Sequence, residues 1–207
     1  MIKYAMAALG PIQTNCYIVF DDEIKKAVII DPADNASYIE AALSQIGTEP
    51  IAILLTHGHF DHIQAVPRLK EKYSLPIYVH GEDEEMLKNP SLFGMESVKI
   101  FLKEDDIRLK GGETLSFPGM EFKVIHTPGH TRGSVCYYME KDGILFSGDT
   151  MFHNSWGRTD FPGGSEEEIF ASIREKLLPL PEETLVLPGH EDSTTIKEER
   201  RIHRYKG

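Results

Sequence analysis

Residues 56–63, THGHFDHI, hold three of the chain's nine histidines and one aspartate. They follow directly after the apolar run IAILL at positions 51–55, which predicts a buried β-strand. Imidazole nitrogens and carboxylate oxygens are ligands that zinc and related transition metals take in proteins. The stretch therefore predicts a metal site immediately after a strand.

Three further turns rich in such side chains also follow predicted strands. EFKVIH (121–126) leads into TPGH, GILFS (143–147) leads into GDT, and TLVL (184–187) leads into PGH. In layered α/β folds, sites form where strand ends and their loops converge. One metal site built from four strand ends is the simplest interpretation. Its candidate ligands are His57, His59, Asp61, His62, His130, Asp149 and His190.

This ligand set is larger than one tetrahedral ion needs, so we expect two divalent ions that share a bridging group. Zinc is the expected ion, with iron or manganese as alternatives. If the strand continues to His59, the side chains of His57 and His59 face one ion, because residues two apart in a strand point the same way. Gly58 lets the backbone bend between them. The other histidines are expected to be structural: His80, His126, His153 and His203.

Predicted strands and helices alternate along the chain, which indicates an α/β fold in a single domain spanning residues 1–207. Apolar spacing predicts a helix over residues 35–46. FDHIQAVPRLKEKY (60–73) is also predicted to be helical, with Pro67 in its first turns or at a kink. The remaining predicted strands are 14–20, 26–31, 76–80, 114–117, 134–140 and an extension of 143–147 to 149.

Local signals predict two further features. Asp142-Gly143 is typical of a type I′ turn and is predicted to join two strands as a hairpin. Ser165 with Glu168 forms a capping box, which predicts the start of a helix over residues 165–178. The polar stretch from residue 81 to about residue 104 carries no predicted element.

Composition narrows the classes of partner. The chain has 33 acidic and 22 basic residues and a net charge of −11, which is poorly matched to the phosphate backbone of nucleic acid. No apolar run approaches the roughly 20 residues that span a bilayer, and the first residues lack the pattern of a signal peptide. We therefore expect a cytoplasmic protein with a small-molecule substrate and neither nucleic acid nor membrane as a partner. Cys16 and Cys136 are expected to be buried thiols, neither bridged nor nucleophilic.

The motifs HGHFDH, PGHT, GDT and LPGH, in this order, resemble the metallo-β-lactamase superfamily, and the resemblance covers nearly the whole chain. It implies a four-layer αββα sandwich with metals at its open edge. It also implies that Asp149 bridges the two ions. The implied ligands are His57, His59 and His130 for the first ion, and Asp61, His62 and His190 for the second.

Within the superfamily, GPIQTNCY (10–17) and GRTDFPGG (157–164) resemble short bacterial relatives of glyoxalase II, a thioesterase that cleaves S-2-hydroxyacylglutathione. The resemblance implies a metallo-hydrolase that cleaves a small acyl thioester through a metal-bound hydroxide. Asp61 is then the catalytic residue that orients the hydroxide or moves its proton. Class B β-lactamases generally have cysteine where Asp149 stands, so the resemblance argues against antibiotic hydrolysis.

Other functions stay open at this point. Persulfide dioxygenases are similar to this chain as well, and bind one iron through the equivalents of His57, His130 and Asp149. A lactonase and a non-catalytic metal-binding module are further alternatives. Sequence does not decide which metal is bound, and a substrate panel with metal analysis would separate these functions.

Substrate recognition is less defined. Glyoxalase II proper has a helical extension that supplies cations to glutathione, whereas this chain has 17 residues after His190. We expect the cations of this tail to form a solvated helix face or a subunit contact in a homodimer, and Arg158 to pair with Asp160 in fixing a loop near the site. The tail cations are Lys197, Arg200, Arg201 and Arg204.

Overall fold

The computed structural model describes residues 1–89 and 97–203. Two six-stranded sheets lie face to face, and helices pack on their outer faces. The helices are α1 (Ala36–Ile46), α2 (Val66–Tyr73), α3 (Glu84–Lys88), α4 (Glu166–Ser172) and α5 (Ile196–His203). The strands are β1 (Ile2–Leu9), β2 (Thr14–Asp21), β3 (Lys26–Ile30), β4 (Glu49–Leu54), β5 (Ile77–His80), β6 (Ile107–Leu109), β7 (Thr114–Phe117), β8 (Met120–His126), β9 (Val135–Met139), β10 (Ile144–Gly148), β11 (Met151–Phe152), β12 (Ser155–Trp156), β13 (Leu185–Pro188) and β14 (Thr194–Thr195).

The first sheet has the strand order β1-β2-β3-β4-β5-β6. The pairs from β1 to β3 are antiparallel, and those from β3 to β6 are parallel. Successive side chains of a strand point to opposite faces, so Ile29 and Ile53 pack with α1 and α2, whereas Val28 and Leu54 face the second sheet. Burial on both faces explains why KAVII and IAILL are continuous apolar runs.

The second sheet has the order β14-β13-β10-β9-β8-β7, in which only the β13–β10 pair of the described strands is parallel. Its inner face carries Phe122 and Phe146, and Phe146 meets Tyr17 of the first sheet edge to face with ring centroids 5.2 Å apart. Its outer face packs on α4 and α5 through Ile169 and Ile196. The layers are therefore helix, sheet, sheet, helix, and the predicted αββα sandwich is confirmed.

The predicted helix over residues 60–73 is wrong in its first half. Phe60–His62 forms a single 3-10 turn, and the helix begins at Val66. Pro67 occupies the first turn, where a missing amide hydrogen costs nothing because no helical acceptor precedes it. The imidazole of His62 hydrogen bonds to Asp31. This bond holds His62 at the strand end, so the 3-10 turn does not continue into the helix.

The predicted type I′ turn at Asp142-Gly143 is also wrong. Met139 pairs with Ile144, so the connection has four residues, and Gly143 has a positive φ (65°) while Asp142 does not. A type I′ turn needs positive φ at both central residues. The capping box is half formed, because Ser165 Oγ accepts from Glu168 N but Ser165 N donates to Gly129 O.

Several elements gave no clear signal in the sequence. β1 contains three alanines among its eight residues, and becomes a strand because it pairs with β2 along its whole length. β6, α3 and the β11–β12 hairpin are short, so their periodicity is too brief to detect. Within the described residues, none of the helices has both the length and the apolar character needed to cross a bilayer.

The inner core offers a direct test of the sandwich. Phe122 is 0% exposed between the two sheets, so Phe122→Ala should lower the free energy of unfolding by about 3–5 kcal/mol through lost burial and a residual cavity. Urea unfolding followed by circular dichroism measures this change. Phe101 is 64% exposed, and Phe101→Ala should change stability by no more than about 0.5 kcal/mol. Equal losses in the two variants would contradict the packing described here.

Candidate metal centre

Strand ends from both sheets meet at one edge of the sandwich. His57 and His59 follow β4 of the first sheet, and His130, Asp149 and His190 follow β8, β10 and β13 of the second. The 3-10 turn after His59 adds Asp61 and His62. The structure therefore brings together all the side chains that the sequence predicts as ligands.

We call His57, His59 and His130 the first subsite. His57 Nε2 and His130 Nε2 lie 3.0 Å and 2.8 Å from His59 Nδ1. All three side chains are buried. Three ring nitrogens converging on one point are the arrangement that a metal ion takes from imidazole ligands.

We call Asp61, His62 and His190 the second subsite. His190 Nε2 lies 3.2 Å and His62 Nε2 lies 3.5 Å from Asp61 Oδ2. Thr14 Oγ1 donates to the same oxygen at 2.8 Å and holds the carboxylate in place.

Asp149 lies between the two subsites. Its Oδ2 is 3.5 Å from Nε2 of His130 in the first subsite and 3.5 Å from Nε2 of His190 in the second. Its Oδ1 is 3.4 Å from His62 Nε2. One carboxylate therefore faces both ligand sets, which is the position that the predicted bridge requires.

The path of the chain at the first subsite differs from the expected one. β4 ends at Leu54, so the strand does not continue to His59. His57 presents Nε2 and His59 presents Nδ1 to the shared point, and the two rings are nearly perpendicular at 85°. Convergence comes from the use of different ring nitrogens and not from strand alternation.

Hydrogen bonds to the outer nitrogens orient the imidazoles. His130 Nδ1 donates to Arg158 O at 2.7 Å, since a carbonyl oxygen only accepts. His62 Nδ1 donates to the Asp31 carboxylate at 2.8 Å. Each bond leaves Nε2 as the lone-pair nitrogen facing the cluster when the ring is neutral, which is the tautomer that a metal ligand needs.

Asp31 also fixes His57 through Thr56. Thr56 Oγ1 donates to Asp31 Oδ2 at 2.6 Å, so the hydroxyl accepts from His57 Nδ1 at 3.1 Å. Sequence analysis did not single out Asp31, although it follows β3 directly as the other acids follow their strands. Its position at a strand end was the signal that could have found it.

The TNCY segment of β2 (residues 14–17) has a structural role that was not predicted. Asn15 Nδ2 donates to Pro188 O at 3.0 Å, and Tyr17 OH donates to the same carbonyl at 2.6 Å. With Thr14 on Asp61, β2 thereby supports the loop that carries His190. Gly189 in that loop leaves room for Asp149, since a Cβ there would lie 2.2 Å from Asp149 Oδ1.

Burial and charge set the protonation of the cluster. Burial lowers the pKa of His57, and lowers the pKa of His59 to about 3, so these two imidazoles are neutral. Burial opposes ionisation of Asp149, yet the positive charge of His62 and a hydrogen bond from His190 lower its pKa. Neutral imidazole and ionised carboxylate are the forms that bind metal.

The second subsite attracts positive charge. Burial alone would lower the pKa of His190, but hydrogen bonds to Asp149 and Asp61 raise it to about 9. Burial would raise the pKa of Asp61, but His62 and His190 lower it. The negative charges of Asp61 and Asp149 are therefore balanced either by protons on the neighbouring imidazoles or by a metal cation that replaces those protons.

Two observations show that these side chains are suited to bind divalent metal ions. His62 Nε2 and Asp149 Oδ1 are buried, lie 3.4 Å apart and make no hydrogen bond. Buried polar atoms of this kind are costly without a partner. In the first subsite, three imidazole nitrogens converge at hydrogen-bond distance. A cation satisfies both groups of atoms.

An open cavity of about 800 Å³ lies over the cluster. Its wall is largely apolar and aromatic, and the ring of Phe161 lies 5.7 Å from that of His59. Arg158 lines it as well, and its guanidinium binds Asp160 through two 2.7 Å hydrogen bonds and lies 3.9 Å from the Phe161 ring centroid. The predicted Arg158–Asp160 pair is confirmed. Apolar wall residues are Ile12, Phe60, Phe152, Trp156 and Phe161.

The short β11–β12 hairpin carries two of these aromatic residues, Phe152 and Trp156. Its turn is held from behind by α5, because buried Glu199 accepts from Asn154 N at 3.2 Å and from Thr194 Oγ1 at 2.7 Å. The tail helix thus supports the cavity wall.

Two cations of the tail, Lys197 and Arg200, contact groups outside the cavity. Arg200 donates to Leu178 O and Leu180 O and pairs with Glu182, and Lys197 lies 3.7 Å from Glu183. They tie α5 to the segment after α4, and the expected homodimer contact stays a prediction. Arg204 lies outside the described residues.

Two histidines set aside as structural, His80 and His126, stack on each other with ring centroids 4.1 Å apart and do not join the cluster. His153 is exposed. The side chain of His203 lies outside the described part of the chain.

Comparison with known proteins identifies the family. The model of the metallo-β-lactamase superfamily matches residues 9–190. The probable metallo-hydrolase YqgX of Bacillus subtilis (strain 168) is 38% identical over 202 residues, which cover 96% of this chain and 95% of that protein. Hydroxyacylglutathione hydrolase GloC of Haemophilus influenzae is 36% identical over 194 residues, 91% of each protein. The chain belongs to the metallo-β-lactamase superfamily. It is a metal-dependent hydrolase of that superfamily.

Solved structures agree with this fold. The B3 metallo-β-lactamase BLEG-1 superposes with a TM-score of 0.91 at 40% identity over 98% of this chain and 99% of that one. TTHA1623 in a di-iron-bound form gives 0.86 at 38% identity, with 97% and 99% covered. ETHE1 from Myxococcus xanthus gives 0.80 at 26% identity, with 97% and 83% covered.

The position of Asp149 between the subsites predicts an asymmetry in metal binding. Asp149→Asn should weaken zinc binding at both subsites by about tenfold or more, because a neutral amide offers one oxygen where the carboxylate offers two. Asp61→Asn should mainly weaken the second subsite. Competition with a chromophoric chelator measures both affinities. If Asp149→Asn binds two ions as tightly as the parent, Asp149 is not a bridge, and a parent that never binds more than one ion contradicts the two-ion centre.

The cysteines should play no part in the chemistry. Both are buried and free, and burial raises the pKa of Cys136 to about 11 and also raises the pKa of Cys16. Because the neutral thiol is unreactive, both cysteines of the native protein at pH 8 should resist alkylation by iodoacetamide. In protein unfolded in guanidinium, both should be alkylated. Mass spectrometry measures the difference. Cys16→Ser and Cys136→Ser should retain turnover. Loss of turnover with metal still bound would point to thiol chemistry.

Proposed function

We propose that the chain hydrolyses a small acyl thioester, as glyoxalase II does, with two divalent ions, zinc in the first instance, at the cluster described above. The observation that carries this proposal is the placement of Asp149 between two ligand subsites beneath an open cavity of about 800 Å³. Structural metal sites are closed, whereas catalytic sites keep a position for water and substrate.

The kinship with a relative named hydroxyacylglutathione hydrolase supports a thioester as the substrate class. The net charge of −11 favours a small-molecule substrate over nucleic acid. TTHA1623 in its di-iron-bound form supports iron as the alternative to zinc.

Divalent ions bound here would lower the pKa of a coordinated water and polarise a carbonyl oxygen. Asp61 orients the attacking water and accepts its proton, since Thr14 and His190 hold its Oδ2 at 2.8 Å and 3.2 Å. Asp31 and Arg158 O hold the imidazoles of His62 and His130 in the tautomer that leaves Nε2 facing the cluster.

The cavity wall accounts for the organic parts of the substrate. Phe152, Trp156 and Phe161 offer apolar surface to an acyl or thiol chain and exclude water next to the reacting carbonyl. Arg158 also lines the cavity, and its guanidinium is already engaged by Asp160. The wall therefore favours contact with the apolar portion of a thioester.

The alternative is a persulfide dioxygenase that uses one iron. His57, His130 and Asp149 form two imidazoles and one carboxylate in a single cluster, and His130 Nε2 lies 3.5 Å from Asp149 Oδ2. That ligand type suits mononuclear iron with open positions for oxygen. The proposed hydrolysis uses both subsites, whereas this reaction uses a single iron.

A substrate panel with metal analysis tests the proposed function. Protein purified without added metal should contain about two zinc ions per chain and cleave acyl thioesters, and removal of metal with a chelator should abolish turnover until zinc is restored. The panel should compare one acyl group on glutathione and on an uncharged thiol with a lactone, a phosphodiester and a cephalosporin. The cephalosporin is included because BLEG-1 is a B3 metallo-β-lactamase.

About one iron per chain with oxygen uptake on glutathione persulfide would instead support the dioxygenase. Cleavage of the cephalosporin without cleavage of any thioester would make the chain a lactamase. No turnover of any compound by fully metallated protein would support the non-catalytic module.

A further inference from the structure

A buried carboxylate outside the cluster joins the two loops that form the first subsite. Asp83 lies at the end of the 3-10 turn after β5 and is 1% exposed. Its Oδ2 accepts from Gly58 N at 2.9 Å and from Thr131 Oγ1 at 2.8 Å. Its Oδ1 accepts from Gly133 N at 2.8 Å.

The partners of Asp83 are neighbours of the predicted ligands. Gly58 lies between His57 and His59, and Thr131 follows His130. The first loop extends from the first sheet and the second loop extends from the second sheet. One carboxylate from a third segment therefore bridges loops that belong to different layers of the sandwich.

We propose that Asp83 is a positioning residue for the first metal subsite. It sets the distance between the loop after β4 and the loop after β8, so that the ring nitrogens of the three histidines converge. This inference rests on the metal centre of the proposed function and not on the nature of the substrate.

Asp83 acts on the backbone, whereas Asp31 and Arg158 O act on the imidazole rings. Ring orientation alone does not place three nitrogens at one point when two of them belong to one loop and the third belongs to another. A backbone hydrogen bond from Val135 N to Thr56 O at 2.8 Å is a further link between the same loops. That bond is made by Thr56, which precedes His57, whereas Asp83 binds Gly58 and Thr131, which are sequence neighbours of the three histidines.

Packing around Asp83 explains two glycines. A Cβ on Gly133 would lie 2.6 Å from Asp83 Cγ, and a Cβ on Gly58 would lie 3.3 Å from Asp83 O and from Met86 Cβ. Neither glycine has a positive φ. The glycine in HGH thus allows the close approach of Asp83, and its predicted role in a backbone bend stays a prediction.

Only a carboxylate satisfies all the donors at this position. Two backbone N–H groups point at different oxygens, and the Thr131 hydroxyl points at one of them. In Asp83→Asn the amide keeps one acceptor oxygen and presents an NH₂ donor to the other N–H group. One buried N–H group is then left without an acceptor, which pushes the loops apart.

Zinc titration of the metal-free protein against a chromophoric chelator tests the proposal. The parent should give two affinities, which His57→Ala and His190→Ala assign to the first and the second subsite. Asp83→Asn should weaken the first by about ten- to hundredfold, the range found when outer partners of metal ligands are removed. The affinity of the second subsite should not change.

Asp106 provides a matched control. It is also a buried aspartate, and its oxygens accept from Ile77 N and Lys103 N, both at 2.8 Å, as well as from Lys70 Nζ. None of these three partners lies in a loop that carries predicted ligands. Asp106→Asn should therefore lower the stability to urea with both zinc affinities unchanged. This control separates positioning from general destabilisation.

The proposal is overturned if Asp83→Asn keeps the parent's affinity at the first subsite, or if Asp83→Asn and Asp106→Asn weaken zinc binding alike. If Asp83→Asn does not fold, Thr131 provides the second test. Thr131→Val should weaken the first subsite several-fold and Thr131→Ser should match the parent, and equal affinities in the two would overturn the proposal. A parent without zinc affinity would instead overturn the metal centre and the proposed function with it.

Discussion

The structure depends on the compensation of charge at one edge of the sandwich. Asp149 is largely buried and ionised among imidazoles, and burying an ionised group without partners costs several kcal/mol. Aspartates and histidines from both sheets lie at this edge. An imidazole surrounded by other imidazoles is neutral there, and one beside carboxylates is protonated. A site so arranged favours a cation, and the surrounding fold keeps its members from separating.

That restraint comes from residues that are not themselves predicted ligands. Asp31 and Arg158 O hold rings, Asp83 joins loops, and Thr14 holds the carboxylate of Asp61. Each of these partners belongs to a segment different from the one it restrains. The geometry of the cluster is therefore a property of the whole sandwich, although the ligands themselves lie in four short motifs.

The ligands lie in short motifs, whereas the residues that restrain them lie in distant segments. This difference explains which site residues could be predicted from the sequence. The ligand candidates were identified because each follows an apolar strand in a motif of several informative residues. Asp83 is one of four consecutive acids (82–85) in a polar stretch. Its partners lie 25 to 50 residues away, so no local pattern distinguishes it from its acidic neighbours. The turn at Phe60–His62 was predicted as helix because its apolar spacing fits one, and the hydrogen bond of His62 to Asp31 overrides that preference. β1 was missed because its pairing with β2, and not its own composition, makes it a strand.

The cavity wall is built differently from the ligand cluster. Phe152 and Trp156 lie on a two-residue-per-strand hairpin that α5 supports through Glu199. A short hairpin tolerates changes of side chain more easily than a strand packed on both faces. A hydroxyacylglutathione hydrolase and a B3 metallo-β-lactamase are both similar to this chain, so the fold alone does not set the substrate. The cavity wall offers the surface that would contact the organic part of a substrate, and the cluster offers the side chains that would hold metal.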